Sequence, residues 1–402
     1  MARVVERHPA LRWAAPLAAV VVAAGIGLAG AAAASADDSP NLPDRTAAQL
    51  LADLALPTTM TLSGTVAVHA DLGLPEIPGL TDKVGGTGVV PDDAGTVAPG
   101  SRLNGGGAQA AVVDLLTGDN TLRVWSDGPE HKRVAILGDG TETDLIRNGA
   151  DLWLWQSADR SVLHATIPEF SATDGLPPRD LAGLEAFGKP LDLSMIPTDP
   201  EAAATLALAA ADTSTEVTVG DTTTVAGRDA YQLVATPRSE DTLVEQVVVA
   251  IDAETHLPLR VEVFSTQRDD PALSVAYTDL SYETPAADVF VFTPPDGATV
   301  SEVPLLPTDA GKPGRDGAKP DVTVTGEGWS TVVVAKAPES PAADDEAAAS
   351  ILDALPEVSG SWGTGHALSG TLFSVIVTDD GRVAAGAVPV SVLEDALAQA
   401  TP

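Results

Sequence analysis

The chain contains no cysteine in its 402 residues. That excludes a disulfide framework, a thiolate metal site and a Cys nucleophile, so stability must come from core burial. Basic residues are scarce as well: 22 Lys and Arg stand against 57 Asp and Glu, a formal net charge of −35. Phosphate-backbone binding needs Lys and Arg, so nucleic acid is excluded as a partner, and an anionic membrane surface is repelled. Such acidity also keeps an exported protein dispersed. Aromatic residues make up only 4% of the chain, so their clustering is informative.

Catalytic signatures are missing too. His8, His69, His131, His164, His256 and His366 are scattered, and none has the i, i+4 partner of a helical zinc site. There is no G-x-S-x-G elbow, no P-loop and no G-x-G-x-x-G opening a helix. Asp252 and Glu254 are paired carboxylates, but they sit in Asp252-Ala253-Glu254-Thr255, a turn that favours such residues structurally. Asp139, Glu142 and Asp144 do not match a calcium loop. The expectation is a protein that is not an enzyme, with no cofactor and no metal.

What is present begins with an export segment. Arg3, Arg7 and Arg12 precede an uncharged run from Trp13 to Ala34, and Ala34-Ser35-Ala36 is a small-x-small exit. A basic head, apolar middle and small-residue exit form the export pattern. The run is long enough to span a bilayer, since about 20 apolar residues suffice. Two outcomes stay open: cleavage near Ala36 to a soluble protein, or retention as an anchor. No Cys follows the run, which excludes lipid attachment at a lipobox. Either way the expected location is outside the cytoplasmic membrane.

After this segment the chain reads as one large unit over 37–303, a linker over 304–320 and a small α+β unit over 321–402. Thr46 can cap a helix that puts Ala47, Leu50, Leu51 and Leu54 on one face. Thr61 to His69 alternates as a half-buried strand. Leu74 to Gly107 reads as a long loop, and Ala108 to Leu116 as a short helix. From Thr121 to Ile167, Asp127-Gly128, Asp139-Gly140 and Asn148-Gly149 punctuate a meander of short strands. The connections are too short for parallel crossovers, so the sheet is antiparallel. Phe170 to Pro197 is irregular and Asp199 to Ala211 helical. Strands return over Glu216–Val225, Asp229–Ala235, Leu243–Ile251, Pro258–Phe264 and Leu273–Tyr282. The count is about eleven strands, and a sheet that large must curl around a cavity, closed or half-closed. In the small unit the pattern predicts one or two strands over Val322–Val334, a helix over Ala342–Leu355, a hairpin over Leu372–Val388 turning at Asp380-Gly381, and a last helix over Val390–Ala400.

Trp125, Trp153 and Trp155 fall on neighbouring strands of the meander. They are either walls for a greasy ligand or plugs in a core. Leu152, Trp153, Leu154 and Trp155 make both faces of one strand apolar, which implies that both are covered or that one faces an apolar cavity. Candidate cavity residues are Val124, Trp125, Trp153, Leu154, Trp155 and Phe264. Alternation puts Val124 and Trp125 on opposite faces, so they cannot all line one cavity.

Three segments carry a resemblance. Asp252-x-Glu254-Thr255-x-Leu257-Pro258-Leu259-Arg260, Gly227-Arg228-Asp229-Ala230-Tyr231-Gln232-Leu233 and Val289-Phe290-Val291-Phe292-Thr293-Pro294-Pro295-Asp296-Gly297-Ala298 resemble LolA-like lipoprotein carriers. The nearest branch is the exported actinobacterial one, which is also similar to the N-terminal domain of the sigma-E regulator RseB. The resemblance covers roughly Thr46 to Val300. It implies a mainly β fold, a half-open antiparallel barrel of about eleven strands with lid helices over an apolar cavity. It also implies a carrier of lipid or lipoprotein acyl chains that does no catalysis. The alternative is an RseB-like regulator that binds a membrane-anchored anti-sigma factor, a protein partner at the membrane. A secreted hydrolase is the disfavoured third reading.

Overall fold

The structure is a computed structural model that describes residues 40–54, 60–73, 118–138, 140–166, 200, 204, 214–303, 322–336, 352 and 354–400. The export segment, the loop and helix expected between Leu74 and Leu116, the stretch Phe170–Pro197 and the linker 304–320 lie outside these residues. So do most of the helices expected over Asp199–Ala211 and Ala342–Leu355. Among the described residues no helix is long and apolar enough to cross a membrane.

Helix α1 spans Ala47–Leu54. The Gln49 N–H donates to Thr46 Oγ1 at 3.3 Å, and the Thr46 N–H donates to Gln49 Oε1 at 2.9 Å. This reciprocal pair is a capping box, which satisfies donors that every helix start leaves free. Leu50 is fully buried and Ala47, Leu51 and Leu54 pack beside it, the stripe that three- and four-residue spacing predicts.

One sheet holds thirteen strands. Its first part is β1 (Thr61–Ala70), β2 (Gly118–Asp127), β3 (His131–Leu137), β4 (Glu142–Asn148), β5 (Asp151–Gln156) and β6 (Ser161–Thr166). Its second part is β7 (Thr215–Val219), β8 (Thr223–Val225), β9 (Arg228–Pro237), β10 (Val244–Asp252), β11 (Pro258–Ser265) and β12 (Leu273–Ser281). A 3-10 turn at Ala287–Phe290 leads to β13 (Thr299–Val303). The spatial order is β13-β6-β5-β4-β3-β2-β1-β12-β11-β10-β9-β7, with β8 also on β9. The meander follows the expected turns, and Gly128 (φ 81) and Gly149 (φ 62) take the left-handed backbone those turns need. Two features differ from expectation. The single strand expected over Glu216–Val225 is two strands, interrupted at 220–222, so twelve strands lie between Thr61 and Ser281. The sheet is also not wholly antiparallel, because β13 pairs with β6 in parallel. Residues 282–298 carry the chain from β12, in the middle of the sheet, to β13 at its edge beside β6.

A second sheet has the order β14-β15-β19-β18-β17-β16. These are Val322–Thr325 (β14), Val332–Lys336 (β15), Glu357–Gly360 (β16), Gly363–Ser369 (β17), Ser374–Thr378 (β18) and Arg382–Gly386 (β19), followed by α2 (Val390–Gln399). Sequence patterning anticipates β14, β15, the β18–β19 hairpin and α2. It misses β16 and β17, whose Gly and Ser content hides their alternation. Leu393 and Leu397 of α2 close a core with Val332, Val334, Ile376 and Ala384.

The main core lies on one face of the large sheet, called the inner face below. It contains Leu62, Val66, Val68, Leu122, Val124, Leu233, Val249, Val261, Val275 and Tyr277, with Leu50 of α1 and Ala204 packed in. Gly64 is required by close approach: a Cβ there would lie 2.6 Å from the Asp279 carbonyl oxygen and against the Tyr277 ring. One end of this core is closed by the C-terminal unit. Its Trp329, Leu372 and Ala387 belong to the same buried cluster. Trp329 Nε1 donates to Thr215 Oγ1 (2.9 Å), Ser265 Oγ to the Thr371 carbonyl (2.6 Å), the Thr371 N–H to the Leu72 carbonyl (2.6 Å) and the Leu243 N–H to the Ala387 carbonyl (2.8 Å). Thr215 starts β7, Leu243 precedes β10, Ser265 ends β11 and Leu72 follows β1, so the antiparallel order puts all four at the same end. The opposite end, the rim, carries the N-terminal segment. There Arg45 meets Asp53 (2.6 Å) and donates to His256 Nε2 (2.9 Å), and Tyr231 Oη donates to the Pro43 carbonyl (2.9 Å).

Leu372→Ala should therefore destabilise both sheets together, by about 2–5 kcal/mol for a fully buried Leu. Urea unfolding followed by intrinsic fluorescence and far-UV circular dichroism should give one displaced transition; separate transitions would mean that the end closure is not part of the core.

Candidate functional site

The strand register defines a row of apolar side chains across the inner face of the meander. Val124 pairs with Val134, Val134 with Leu145, Leu145 with Leu154 and Leu154 with Leu163. Directly paired residues point to the same side. The row starts inside the main core at Val124, which is buried, and Val134 still packs against that core. Leu145, Leu154 and Leu163 run beyond it and are half-buried. Leu152, also half-buried, stands on the same face beside Arg147. No described element closes over this stretch, whereas α1 fills the face further along. An apolar surface left at the margin of a core, on the same face as the core, is what a long-chain apolar ligand needs.

The candidate residues divide between the two faces. Val124 and Leu154 belong to this row. Trp125, Trp153 and Trp155 face the other way, with Arg133, Asp144, Ile146, Val162 and His164. Phe264 also turns away from the core, being next to inward-facing Val263. The outer face of the meander has its own cover, the segment 287–292. Phe290 is buried there, Phe292 lies 5.5 Å from Trp153 and 6.4 Å from Trp155 between ring centroids, and Arg133 donates to the Val289 carbonyl at 3.4 Å. Arg133 is held by a bidentate pair to buried Asp144, at 3.0 and 2.9 Å, with its guanidinium over the Trp125 ring. The Trp153 ring stacks on His164 at 3.8 Å, and His164 bridges Asp151 (2.9 Å) and Glu302 (2.8 Å), tying β13 to the sheet. The Trp cluster thus packs a second, smaller core under this cover. Sequence reading passes over Val134, Leu145 and Leu163, and names Leu152 only for the apolar faces of its strand; the alternation of β3 to β6 marks them once the inner face is known.

At the rim, the conspicuous carboxylates Asp252 and Glu254 have structural partners. Asp252 is fully buried and accepts from the Arg228 guanidinium, from Tyr282 Oη (3.1 Å) and from the backbone N–H groups of Glu254 (2.8 Å) and Thr255 (3.0 Å). Burial opposes its ionisation, but the Arg228 hydrogen bond and the two backbone donors outweigh burial and hold Asp252 below the ordinary carboxylate range. Burial pushes the Tyr282 hydroxyl up to about 12. Glu254 pairs with Arg228 at 2.8 Å on the exposed side. Asp252 is engaged by two turn N–H groups, Arg228 and Tyr282, and Glu254 by Arg228, so Asp252 sets the β10–β11 turn. Among the described residues no group of three His, Asp or Glu side chains is placed to hold a metal ion.

No family description and no curated protein matches this chain. Solved structures do. MucB in complex with MucA(peri) matches at 14% identity and a TM-score of 0.40, over 87% of this chain and 97% of that one. The MucA/MucB complex of Pseudomonas aeruginosa matches at 14% identity and 0.39, over 87% and 95%. A LolA superfamily protein from Nitrosomonas europaea matches at 13% identity and 0.20, over 62% and 99%. These are solved structures to which the chain is similar.

The Asp252 network gives a pH dependence of stability. A carboxylate depressed in the folded state contributes stability above its unfolded pKa, near 4, and loses it as pH falls through the folded value. Asp252→Asn leaves Arg228 without its buried partner and should cost about 3–5 kcal/mol at pH 7. The gap between wild type and variant, measured by urea unfolding from pH 7 down to pH 2, should narrow below pH 4; a constant gap would show that the charge of Asp252 contributes nothing.

Proposed function

We propose that this chain is an exported, non-catalytic protein that binds the acyl chains of a lipid or lipoprotein along the inner face of a half-open barrel. The observation that carries this reading is the Leu145–Leu154–Leu163 continuation of the core row, apolar, half-buried and uncovered by any described element. Burying an acyl chain there is favourable at about 0.8 kcal/mol for each CH₂. The domain limits 37–303, 304–320 and 321–402 belong to the same proposal, with the C-terminal unit as the closed end and α1 as a filler of the inner face. Catalysis plays no part in this reading: the paired carboxylates are engaged in a turn, and the His residues with described contacts tie strands and segments together.

Leu154→Asp should weaken binding of a fluorescent long-chain fatty acid about tenfold or more, since the acyl chain would lie against a carboxylate. Lipid extraction and mass spectrometry of the purified mature protein should return acyl lipid from wild type and much less from the variant. Unchanged fatty-acid binding by the variant, with no lipid in either extract, would remove the reading. Co-purification of a membrane-protein segment in place of lipid would favour the regulatory alternative.

A further inference from the structure

The acyl-binding reading, on which this inference rests, leaves the polar end of the ligand undefined. The inner face of the meander carries one feature that an acyl chain does not explain. Lys132 of β3 and Arg147 of β4 stand directly opposite each other in the register. Both are on the inner face, in the cross-strand line Ser126–Lys132–Arg147–Leu152. Like charges directly opposite in an antiparallel pair, with Cβ atoms about 5 Å apart, destabilise a sheet. Acidic side chains outnumber basic ones by more than two to one in this chain, 57 against 22, so partners for these cations are plentiful. Yet among the described residues neither cation has a carboxylate partner. Arg133, which follows Lys132 and faces the other side, holds the bidentate pair to Asp144. Arg147 Nε donates to the Gly149 carbonyl at 3.3 Å, which fixes the stem of the guanidinium at the rim.

Position adds to charge. Lys132 is one residue from the start of β3 and Arg147 one residue from the end of β4, both at the rim, away from the end closed by Trp329 and Leu372. Leu145 lies two residues from Arg147 along β4, about 7 Å at the rise of a strand. Two cations at the open end of an apolar row match an amphiphile with its tail along the leucines and its head at the rim. We propose that Lys132 and Arg147 hold the anionic head group of a lipid whose acyl chain lies on Leu145, Leu154 and Leu163. The net negative charge of the protein keeps it off anionic bilayers, and this pair is the local exception that accepts a single anionic lipid.

The test uses the whole mature chain and two lysolipids with the same acyl chain below their micelle concentrations, lysophosphatidylglycerol and lysophosphatidylcholine, followed by calorimetry. Wild type should bind the anionic lipid about tenfold or more tightly than the zwitterionic one, an advantage that shrinks in high salt. The Lys132→Gln/Arg147→Gln double variant should lose this preference while still binding lysophosphatidylcholine, which also reports that it is folded. Equal binding of the two lipids by wild type, or a preference that survives in the double variant, overturns the head-group assignment and leaves the acyl reading standing. Binding of neither lipid overturns both. Displacement of lysophosphatidylglycerol by millimolar inorganic phosphate identifies a free-anion site and overturns a lipid as its occupant.

Discussion

Successive side chains of a strand leave on opposite faces, so each strand of a thirteen-stranded sheet presents two surfaces that the chain must cover, wet or fill. This constraint organises the molecule. Along β1, β2 and β9 to β12 the inner face is packed by its own large residues and by α1. Along β3 to β6 the outer face is covered by the segment around Phe290 and Phe292, fastened by Arg133 and by β13. The inner face of β4 to β6 remains, apolar and without a described cover. The proposed function follows from this remainder.

The two ends of the sheet are held by different means. At the closed end the contacts are buried hydrogen bonds between strand termini and loop carbonyls, together with Trp329 and Leu372 in the main core. Buried bonds of this kind are costly to break because each leaves an unsatisfied group in an apolar setting. At the rim, apart from the buried Arg228–Asp252 pair, the contacts are ionic and partly solvated: Arg45 with Asp53 and His256, and Arg228 with Glu254. Solvated pairs separate at little cost. A ligand that enters and leaves does so more easily at an end with such contacts, and Lys132 and Arg147, which have no carboxylate partner among the described residues, are found at that end.

The aromatic cluster is a sequence signal whose face the sequence leaves open. Trp125, Trp153 and Trp155 do gather on neighbouring strands, as their positions suggest. The partner of Trp153 and Trp155 is Phe292, more than 130 residues later in the chain, which no local pattern links to them. The leucines of the same strands, individually unremarkable, share the face of the main core.

Local physics made much legible in advance. Thr46 with its apolar stripe marked α1, the Asp-Gly and Asn-Gly pairs marked the meander, and alternation marked the strands from Arg228 to Ser281, because helix caps, tight turns and strand faces depend on neighbours in sequence. The absence of cysteine and the excess of acid likewise bounded the classes of function from composition alone. Which face was inner, where β13 would pair, that the C-terminal unit would close one end through Thr371 and Ala387, and that Lys132 would stand opposite Arg147 were decided only by the tertiary structure. Each of these depends on register and on contacts between residues far apart in the chain, and such contacts exist only once the sheet has formed.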